Sequence, residues 1–248
     1  GFWIKLDLND WPDRMFFFGI NEPDHIRFLD VLLRPGDMCF DVGANKGFYA
    51  LQMARAVGSS GAVFAFEPDS RVWPMLQENA KRNNFTNLKV LPLAVSDKSG
   101  SAVFSLSSQI GWSGFVPSVS PHHKVVRTET VRVVSLDGFF EDMKLRSHKD
   151  CILFIKIDAE GSEKMIIDGM ERVLTDYDPV FHIEINDKGP NGLALLAHLR
   201  AKGYHVYTLD LDANKKELKL RPVEGIPQAD IVAFRDSPMV GQRLKDIL

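Results

Sequence analysis

Short apolar runs alternate with segments of helical periodicity along most of the chain, and this alternation is the feature that most constrains the fold. The runs are rich in Val, Ile, Leu and Phe without polar alternation, which is typical of parallel strands buried on both faces. Apolar residues between them recur every three or four positions, which predicts helical crossovers. The pattern predicts one α/β domain over residues 1–248 with helices on both faces of the sheet. The predicted strands are Met38 to Val42, Ala62 to Phe66, Leu88 to Val95, Cys151 to Ile157 and Val180 to Ile185.

Both ends of the chain depart from this alternation. Residues 1–35 are predicted to form an N-terminal cap, with strand-like pieces at Phe2 to Leu8 and Met15 to Gly19 before a helix. At the other end, two predicted strands flank a charged segment, Asn214 to Arg221, which we expect to be a solvated hairpin tip. These outer strands are His205 to Leu211 and Ala229 to Phe234.

Residues 101–136 read as an inserted hairpin with a long connecting loop. The loop, residues 107–121, is rich in Ser, Gly and Pro, and ordered loops of this length are usually lids or binding loops. Trp112 is the candidate for stacking on a substrate. The alternative that Trp112 and Phe115 pack the loop onto the domain carries equal weight.

The amino-acid composition excludes several classes of protein. The hydrophobic fraction of 45% and charged fraction of 25% exclude collagen-like, coiled-coil and disordered chains. A net charge of −3 argues against nonspecific nucleic-acid binding. No run approaches the roughly 18 apolar residues of a membrane span, and the N-terminus lacks a secretion pattern. Because Cys39 and Cys151 lie in apolar runs without metal-ligand spacing, we expect a reducing, cytoplasmic compartment.

A glycine-rich heptad between the first strand and the first crossover helix predicts a ligand site. Its glycines let a ligand approach main-chain N–H groups near a helix N-terminus. Asn45 stands where the nicotinamide fingerprint needs its second glycine, which disfavours a dinucleotide-dependent oxidoreductase. Asp41 instead suits a cationic ligand such as S-adenosylmethionine, which carries a sulfonium and an ammonium group; a tight turn with a capping Asp is the alternative. The heptad is Asp41, Val42, Gly43, Ala44, Asn45, Lys46 and Gly47.

Polar residues at the ends of the next two strands extend this site. Glu67 ends the second strand about twenty residues after the glycine loop, where a carboxylate accepts hydrogen bonds from ribose hydroxyls. Ser96 and Asp97 follow the third strand and are candidates for the adenine edge. An Asx-turn explains Asp97 equally well.

Six segments, taken in order, resemble the FkbM family of S-adenosylmethionine-dependent methyltransferases over residues 22–187. The resemblance implies a class I methyltransferase fold, a Rossmann-like three-layer sandwich. Its mostly parallel seven-stranded sheet has the order 3-2-1-4-5-7-6 with strand seven antiparallel. The resemblance also implies that the Asp41–Gly47 loop and Glu67 line the cofactor. Lys46 departs from the small or apolar residue commoner in the family, and we expect its side chain to point to solvent. The segments are DVGANKG, FAFEPDS, LPLAVSDKSG, VRVVSLDGFF, IKIDAEGSE and HIEIND.

The end of the fourth strand carries the candidate catalytic residues. A period of two places Lys156, Asp158 and Glu160 on one face, and Glu163 follows. A buried lysine requires a partner, so a structural ion pair is the simpler interpretation of Lys156. A hydroxyl acceptor needs a base, and we favour Asp158 or Glu163 for that role. His122 and His123, in a polar loop, are weaker candidates.

An oxygen-rich group at the ends of strands four and five raises a metal site as an alternative. Asp158, Glu184 and Asp187 resemble in position the acidic ligands of metal-dependent O-methyltransferases, and Mg²⁺ prefers such oxygens. A turn and helix cap account for Asp187 as well, and we favour a metal-free enzyme. Glu184 is also a candidate substrate contact.

These observations predict an S-adenosylmethionine-dependent O-methyltransferase. The expected acceptor is a hydroxyl on a small molecule, a glycan or a polyketide-like product. N-methylation, carboxyl methylation and a non-catalytic cofactor-binding module are the alternatives.

Overall fold

The structure is a computed structural model that describes residues 1–20, 22–115, 124–145, 151–185, 189–212, 217–227 and 230–247. Its strands are β1 (Met38–Val42), β2 (Ala62–Phe66), β3 (Leu88–Leu91), β4 (Ala94–Val95), β5 (Gly100–Ser107), β6 (Gly114–Phe115), β7 (Val125–Val134), β8 (Leu153–Ile157), β9 (Val180–Ile183), β10 (His205–Asp212), β11 (Glu217–Pro222) and β12 (Ile231–Phe234). Its helices are α1 (Trp11–Phe17), α2 (Pro23–Leu32), α3 (Phe48–Val57), α4 (Trp73–Arg82), α5 (Leu136–Asp142), α6 (Glu163–Asp168), α7 (Glu171–Asp176), α8 (Pro190–Ala201) and α9 (Pro238–Leu244).

Eight strands form the main sheet, in the order β11-β10-β12-β9-β8-β1-β2-β3. Strands β3, β2, β1, β8 and β9 are parallel, and β12 pairs with β9 and β10 in antiparallel fashion. The seven-stranded expectation therefore needs one correction, because β11 adds an eighth strand at the edge. The architecture is a Rossmann-like α/β fold with a mostly parallel sheet.

Consecutive residues of the central strands are buried on opposite faces of the sheet. On β1, Phe40 joins one hydrophobic core and Cys39 joins the other; on β8, Ile155 and Phe154 divide in the same way. Strands buried on both faces require apolar side chains at most positions, and the buried Asp41 and Lys156 are the exceptions on these two strands. This requirement explains the continuous apolar runs in the sequence.

A smaller sheet, with the order β4-β7-β5-β6, comprises most of the inserted hairpin. The single strand expected from Leu88 to Val95 is wrong, because β3 ends at Leu91 and β4 pairs with β7. Pro92 follows Leu91 and has no N–H for the ladder, so the chain leaves the main sheet there.

Two further expectations, one near each end of the chain, are wrong. Residues 11–17 form helix α1, whereas a strand was expected from Met15, and residues 2–8 form no strand. The expected hairpin tip is largely strand β11, in which the buried Leu218 alternates with charged residues on the other face. Residues 213–216 lie outside the described ranges. Within those ranges, no helix has the length and apolar character needed to cross a bilayer.

Candidate functional site

A cavity of about 380 Å³ opens at the carboxyl ends of β1, β2 and β8. This is the edge at which parallel α/β sheets bind ligands. The cavity is lined by residues from the glycine loop, the ends of β2, β8 and β9, the loop before β6, and helix α1. Of the predicted site residues, it brings together Asp41, Gly43, Ala44, Asn45, Glu67, Trp112, Lys156, Asp158, Glu160 and Glu184.

Asp41 is a buried carboxylate without a hydrogen-bond partner among the described residues. It is 1% exposed and lies on β1 opposite Lys156 of β8. The amide of Ala50 lies near enough to favour the charged form but does not meet hydrogen-bond geometry. Burial raises the pKa of Asp41 to about 6, against the opposing effect of Lys156. A cationic ligand in the cavity would satisfy this carboxylate.

The glycines of the loop permit close packing. Gly43 has a φ of +79°, and a Cβ added there would lie 1.7 Å from the carbonyl oxygen of Asp158. Gly47 has a φ of +93°, and its added Cβ would lie 2.0 Å from the Cδ1 of Leu76. Only glycine fits both the left-handed backbone and the space at these positions. The first contact fixes the glycine loop against the end of β8, where the candidate catalytic residues begin.

Glu67 connects the end of β2 to the glycine loop. One of its oxygens accepts a hydrogen bond from the N–H of Asn45 at 2.9 Å, and the other accepts one from the N–H of Asp69 at 2.8 Å. Burial raises the pKa of Glu67 to about 7 although both amides favour its charged form. Each carboxylate oxygen has a second lone pair, so Glu67 retains acceptor capacity toward the cavity.

Ser96 and Asp97 do not line the cavity. The hydroxyl of Ser96 donates to Asp97 at 3.2 Å, and the wall nearest them is formed by Leu93, Ala94 and Val95. Strand β3 ends just before Pro92, and the segment that follows pairs with the smaller sheet through β4. An apolar wall thus stands where a polar adenine contact was expected.

Lys46 is buried, which corrects the expectation that it points to solvent. Its Nζ lies 2.7 Å from a carboxylate oxygen of Asp10 and 2.7 Å from one of Asp13. The side chain of Asn79 accepts from the N–H of Lys5 and donates to the carbonyl of Lys46. The N-terminal segment is therefore held over the glycine loop.

Helix α1 lines the cavity, and sequence reasoning missed this contribution. Met15 and Phe16 face the cavity, and the ring of Phe16 stacks on Phe48 at 4.2 Å. Glu22, at the start of α2, accepts a hydrogen bond from the hydroxyl of Tyr49. The one signal in the sequence was Lys46, a charged residue where the family has small or apolar ones.

Lys156 and Asp158 form the ion pair that the strand pattern suggested. The Nζ of Lys156 lies 2.8 Å from Asp158 and 4.7 Å from the ring centre of Tyr49. Burial alone would raise the pKa of Asp158, but Lys156 and a hydrogen bond with Glu184 hold it below its usual range. The charge of Asp158, together with burial, raises the pKa of Glu184 far above its usual range. Asp158 is the ionised partner and Glu184 carries the shared proton.

Glu160 completes an acidic group at one wall of the cavity. It has a left-handed φ of 48°, and burial, reinforced by the charges of Asp158 and Glu163, raises its pKa to about 8. Oxygen atoms of Asp158, Glu160 and Glu184 lie within 4.8 Å of one another. Glu160, whose pKa of about 8 is close to neutral pH, is thus beside the ionised carboxylate of Asp158.

Glu163 lies outside the cavity lining. Its side chain is 4% exposed and accepts a hydrogen bond from the N–H of Gly161 at 2.9 Å, at the start of α6. Asp187 and the loop residues His122 and His123 lie outside the described residues.

The two aromatic residues considered for the loop, Trp112 and Phe115, both line the cavity. Trp112 is 39% exposed, whereas the ring of Phe115, in β6, also packs edge-to-face on Phe104 at 5.6 Å. The hydroxyl of Ser113 donates to a carboxylate oxygen of Asp69 at 2.9 Å, two residues after Glu67 in the chain. The loop is therefore anchored beside Glu67, at the end of β2.

Comparison with known families shows to which family the chain belongs. A family model described as the methyltransferase FkbM domain matches residues 41–206, which is well over half of the chain. The chain belongs to the FkbM methyltransferase family. Like other members, this FkbM methyltransferase uses S-adenosylmethionine as its methyl donor.

The chain is similar to two further proteins. The chain is 29% identical over 205 residues to the 31-O-demethyl-FK506 methyltransferase FkbM of Streptomyces tacrolimicus, covering 71% of this chain and 75% of that one. A solved structure of the methyltransferase FkbM from Methylobacillus flagellatus KT is 17% identical, with a TM-score of 0.51, and the match covers 89% of this chain and 52% of that one. At this identity the second likeness establishes the fold alone.

Proposed function

We propose that this FkbM methyltransferase methylates a hydroxyl group of a small molecule, a glycan or a polyketide-like product. The observation that carries the proposal is the acidic group of Asp158, Glu160 and Glu184 at the wall of the cavity. A hydroxyl is a weak nucleophile until its proton is removed, and a carboxylate beside it performs that task. The relative from Streptomyces tacrolimicus is named as an O-methyltransferase, which supports the same reaction.

The polar end of the cavity fits the cofactor. The unpartnered carboxylate of Asp41 suits the ammonium group, and the remaining acceptor capacity of Glu67 suits the ribose hydroxyls. Leu93, Ala94 and Val95 offer the flat base an apolar surface. When bound, S-adenosylmethionine supplies a methyl group activated by its sulfonium.

Among the acidic residues, Glu160 is best suited to accept the proton of the acceptor. General bases work best when their pKa lies near the operating pH, and Glu160 has a pKa of about 8. Asp158 is ionised but strongly stabilised by Lys156 and Glu184, which makes it a weak base and a good hydrogen-bond acceptor. Asp158 therefore orients the hydroxyl and Glu160 takes its proton. Holding the reactants in line supplies much of the remaining acceleration.

Charge favours a small or neutral acceptor over a nucleic acid. The net charge is −3, and the acidic residues at the cavity would repel a phosphate backbone. Trp112 gives the cavity an exposed aromatic face, which suits a sugar ring or an apolar scaffold.

Cys39 and Cys151 are free thiols, which supports a reducing, cytoplasmic environment.

Magnesium dependence is the alternative at the same acidic residues. Against it, Asp158 already has the ammonium of Lys156 and the proton of Glu184 as partners, so a cation must displace one of them. We therefore propose metal-free transfer. Rates that are unchanged in excess chelator support this, whereas loss of activity restored by Mg²⁺ assigns the cation to Asp158, Glu160 and Glu184.

The test of the proposed function is a transfer assay with isotope-labelled S-adenosylmethionine and panels of alcohols, glycans, polyketides, amines and carboxylates. Labelled ether products with the wild-type chain, and their loss with Glu160→Gln, support the proposal. Products only from the amines or carboxylates would assign N- or carboxyl methylation. Cofactor binding without transfer to any panel would favour the non-catalytic module.

A further inference from the structure

Three side chains of types that commonly bind metals, His25, His182 and Asp230, lie close together outside the cavity lining. They are near the acidic wall of the cavity, which is formed by Asp158, Glu160 and Glu184. His25 belongs to α2, His182 to β9, and Asp230 directly precedes β12. One ligand atom from each lies within 4.8 Å of the others. His182 is also the register partner of Lys156, so this group adjoins the candidate catalytic residues.

His25 has no partner that explains its burial. It is 6% exposed, and neither of its ring nitrogens has a hydrogen-bond partner among the described residues. The nearest carboxylate oxygen, from Asp24, is 3.5 Å from Nδ1. A neutral imidazole always has one N–H donor and one lone pair, and burying both unpaired is unfavourable. The same lone pair is the usual ligand of a transition metal.

The other two side chains, His182 and Asp230, already lie close together. Nε2 of His182 lies 3.0 Å from Oδ2 of Asp230. In a tetrahedral zinc site with bonds of about 2.0 Å, neighbouring ligand atoms lie roughly 3.3 Å apart. His182 and Asp230 are thus already spaced as two ligands of one ion.

We propose that His25, His182 and Asp230 bind one divalent transition metal ion of the zinc type. Two imidazoles and one carboxylate are the nitrogen and oxygen donors that such ions prefer over Mg²⁺. Asp24 adds a further negative charge beside the site, since its carboxylate oxygen lies 3.5 Å from Nδ1 of His25. The bound ion ties α2 to β9 and to the start of β12.

Binding requires one local movement. The rings of His25 and His182 are stacked at 4.1 Å and 8°, so their lone pairs do not yet converge. No hydrogen bond from the described part of the chain holds the His25 ring, and rotation about its Cβ–Cγ bond brings a nitrogen toward the other two ligands.

The test is calorimetric titration of the tag-free, chelator-treated chain with Zn²⁺. The wild-type chain binds one ion, and His25→Asn and Asp230→Asn weaken the affinity at least about tenfold. The matched control is His205→Asn, since His205 is an exposed histidine that also faces a carboxylate, Asp236, at 3.2 Å. This control retains the wild-type affinity, and so does Glu160→Gln. A wild-type chain that binds no Zn²⁺ overturns the proposal, as does undiminished binding by His25→Asn.

A spectroscopic measurement keeps the proposal testable if the variants do not fold. Co²⁺ bound to the wild-type chain is expected to give the intense visible absorption of a four-coordinate site. Weak absorption from bound Co²⁺, typical of six oxygen ligands, contradicts the assignment. Loss of Zn²⁺ binding in Glu160→Gln would also overturn it, because the ion would then belong to the acidic wall. None of these readouts depends on methyl transfer.

Discussion

Gly43 lies directly against the main chain of Asp158, with space for a hydrogen atom but not for a methyl group. An added Cβ would be 1.7 Å from the carbonyl oxygen of Asp158. This contact sets the distance between the glycine loop, which we propose to hold the cofactor, and the end of β8, whose residues we propose to act on the acceptor. The packing of one glycine thus couples the two halves of the site.

Gly43→Ala should therefore damage the protein more than its backbone conformation alone predicts. Gly203 is the matched control, because its φ of +84° is similar but nothing lies within 4 Å of its added Cβ. We expect Gly203→Ala to lower the free energy of unfolding by about 1 kcal/mol and Gly43→Ala by about 3 kcal/mol or more. Chemical denaturation measures both. Equal losses would show that the contact with Asp158 does not matter.

The ion pairs of Lys46 predict a second effect on stability. Lys46→Met leaves the nearly inaccessible Asp13 without its cation, and breaking a buried pair typically destabilises by about 3 kcal/mol. Residues 1–20 should then become sensitive to limited proteolysis. Lys164→Met is the control, since its pair with Asp168 is at the surface and contributes about 0.5 kcal/mol or less. Similar behaviour of the two variants would contradict the anchoring role of Lys46.

The pH dependence of kcat/KM tests the assignment of Glu160. The base must be ionised, and its pKa in the free enzyme is about 8, so activity should rise with pH and level off above that value. Glu160→Gln should lower kcat by about 10²-fold or more and remove this dependence. Glu163→Gln should keep this rise but move its midpoint to lower pH, because Glu163 lies outside the cavity while its charge helps to raise the pKa of Glu160. An unaltered profile in Glu160→Gln would assign the titration to another group.

Trp112 separates acceptor binding from cofactor binding. Trp112→Ala should raise the acceptor KM about tenfold while leaving the affinity for S-adenosylmethionine unchanged, since an aromatic contact contributes about 1–2 kcal/mol. Phe115→Ala should instead lower stability, because its ring packs on Phe104. Steady-state kinetics and calorimetry make the comparison. A loss of cofactor affinity alone in Trp112→Ala would contradict the acceptor role.

The sequence indicated the centre of the fold better than its edges. Strands β1, β8 and β9 are buried on both faces, so their apolar runs stand out in the sequence. Strand β11 was missed because its alternating charged residues resemble a solvated turn. Helix α1 was missed because it is short and its Asp10 and Asp13 are paired with a distant residue, Lys46.

In the candidate site, too, some positions were predictable from the sequence and others were not. Asp41 and Glu67 were predictable, because they end strands beside a glycine loop. Ser96 and Asp97 were misplaced relative to the cavity because Pro92 diverts the chain, a tertiary consequence that spacing along the sequence does not reveal. The proximity of Asp158 and Glu184, at the ends of two neighbouring strands, was expected from the sequence, but the hydrogen bond between their carboxyl groups was not.

Asp41→Asn is the variant that tests the cofactor site without disrupting the fold. The folded pKa of Asp41, about 6, exceeds the usual value of an aspartate, so the contribution of Asp41 to stability is greatest below about pH 4 and is lost as the pH rises through 6. Removing this carboxylate should raise the free energy of unfolding at pH 7 by roughly 3 kcal/mol. A folded, more stable variant ensures that a loss of binding reflects the missing charge.

Calorimetry with S-adenosylmethionine and S-adenosylhomocysteine, on the wild-type chain, Asp41→Asn and the control Asp97→Asn, tests the central claim most directly. Both ligands carry the ammonium group, so Asp41→Asn should weaken both about 10- to 100-fold, which corresponds to the loss of a buried charge pair of about 1.4–2.8 kcal/mol. Asp97→Asn should bind both as the wild type does. Normal affinity in Asp41→Asn would contradict the placement of the methyl donor above β1.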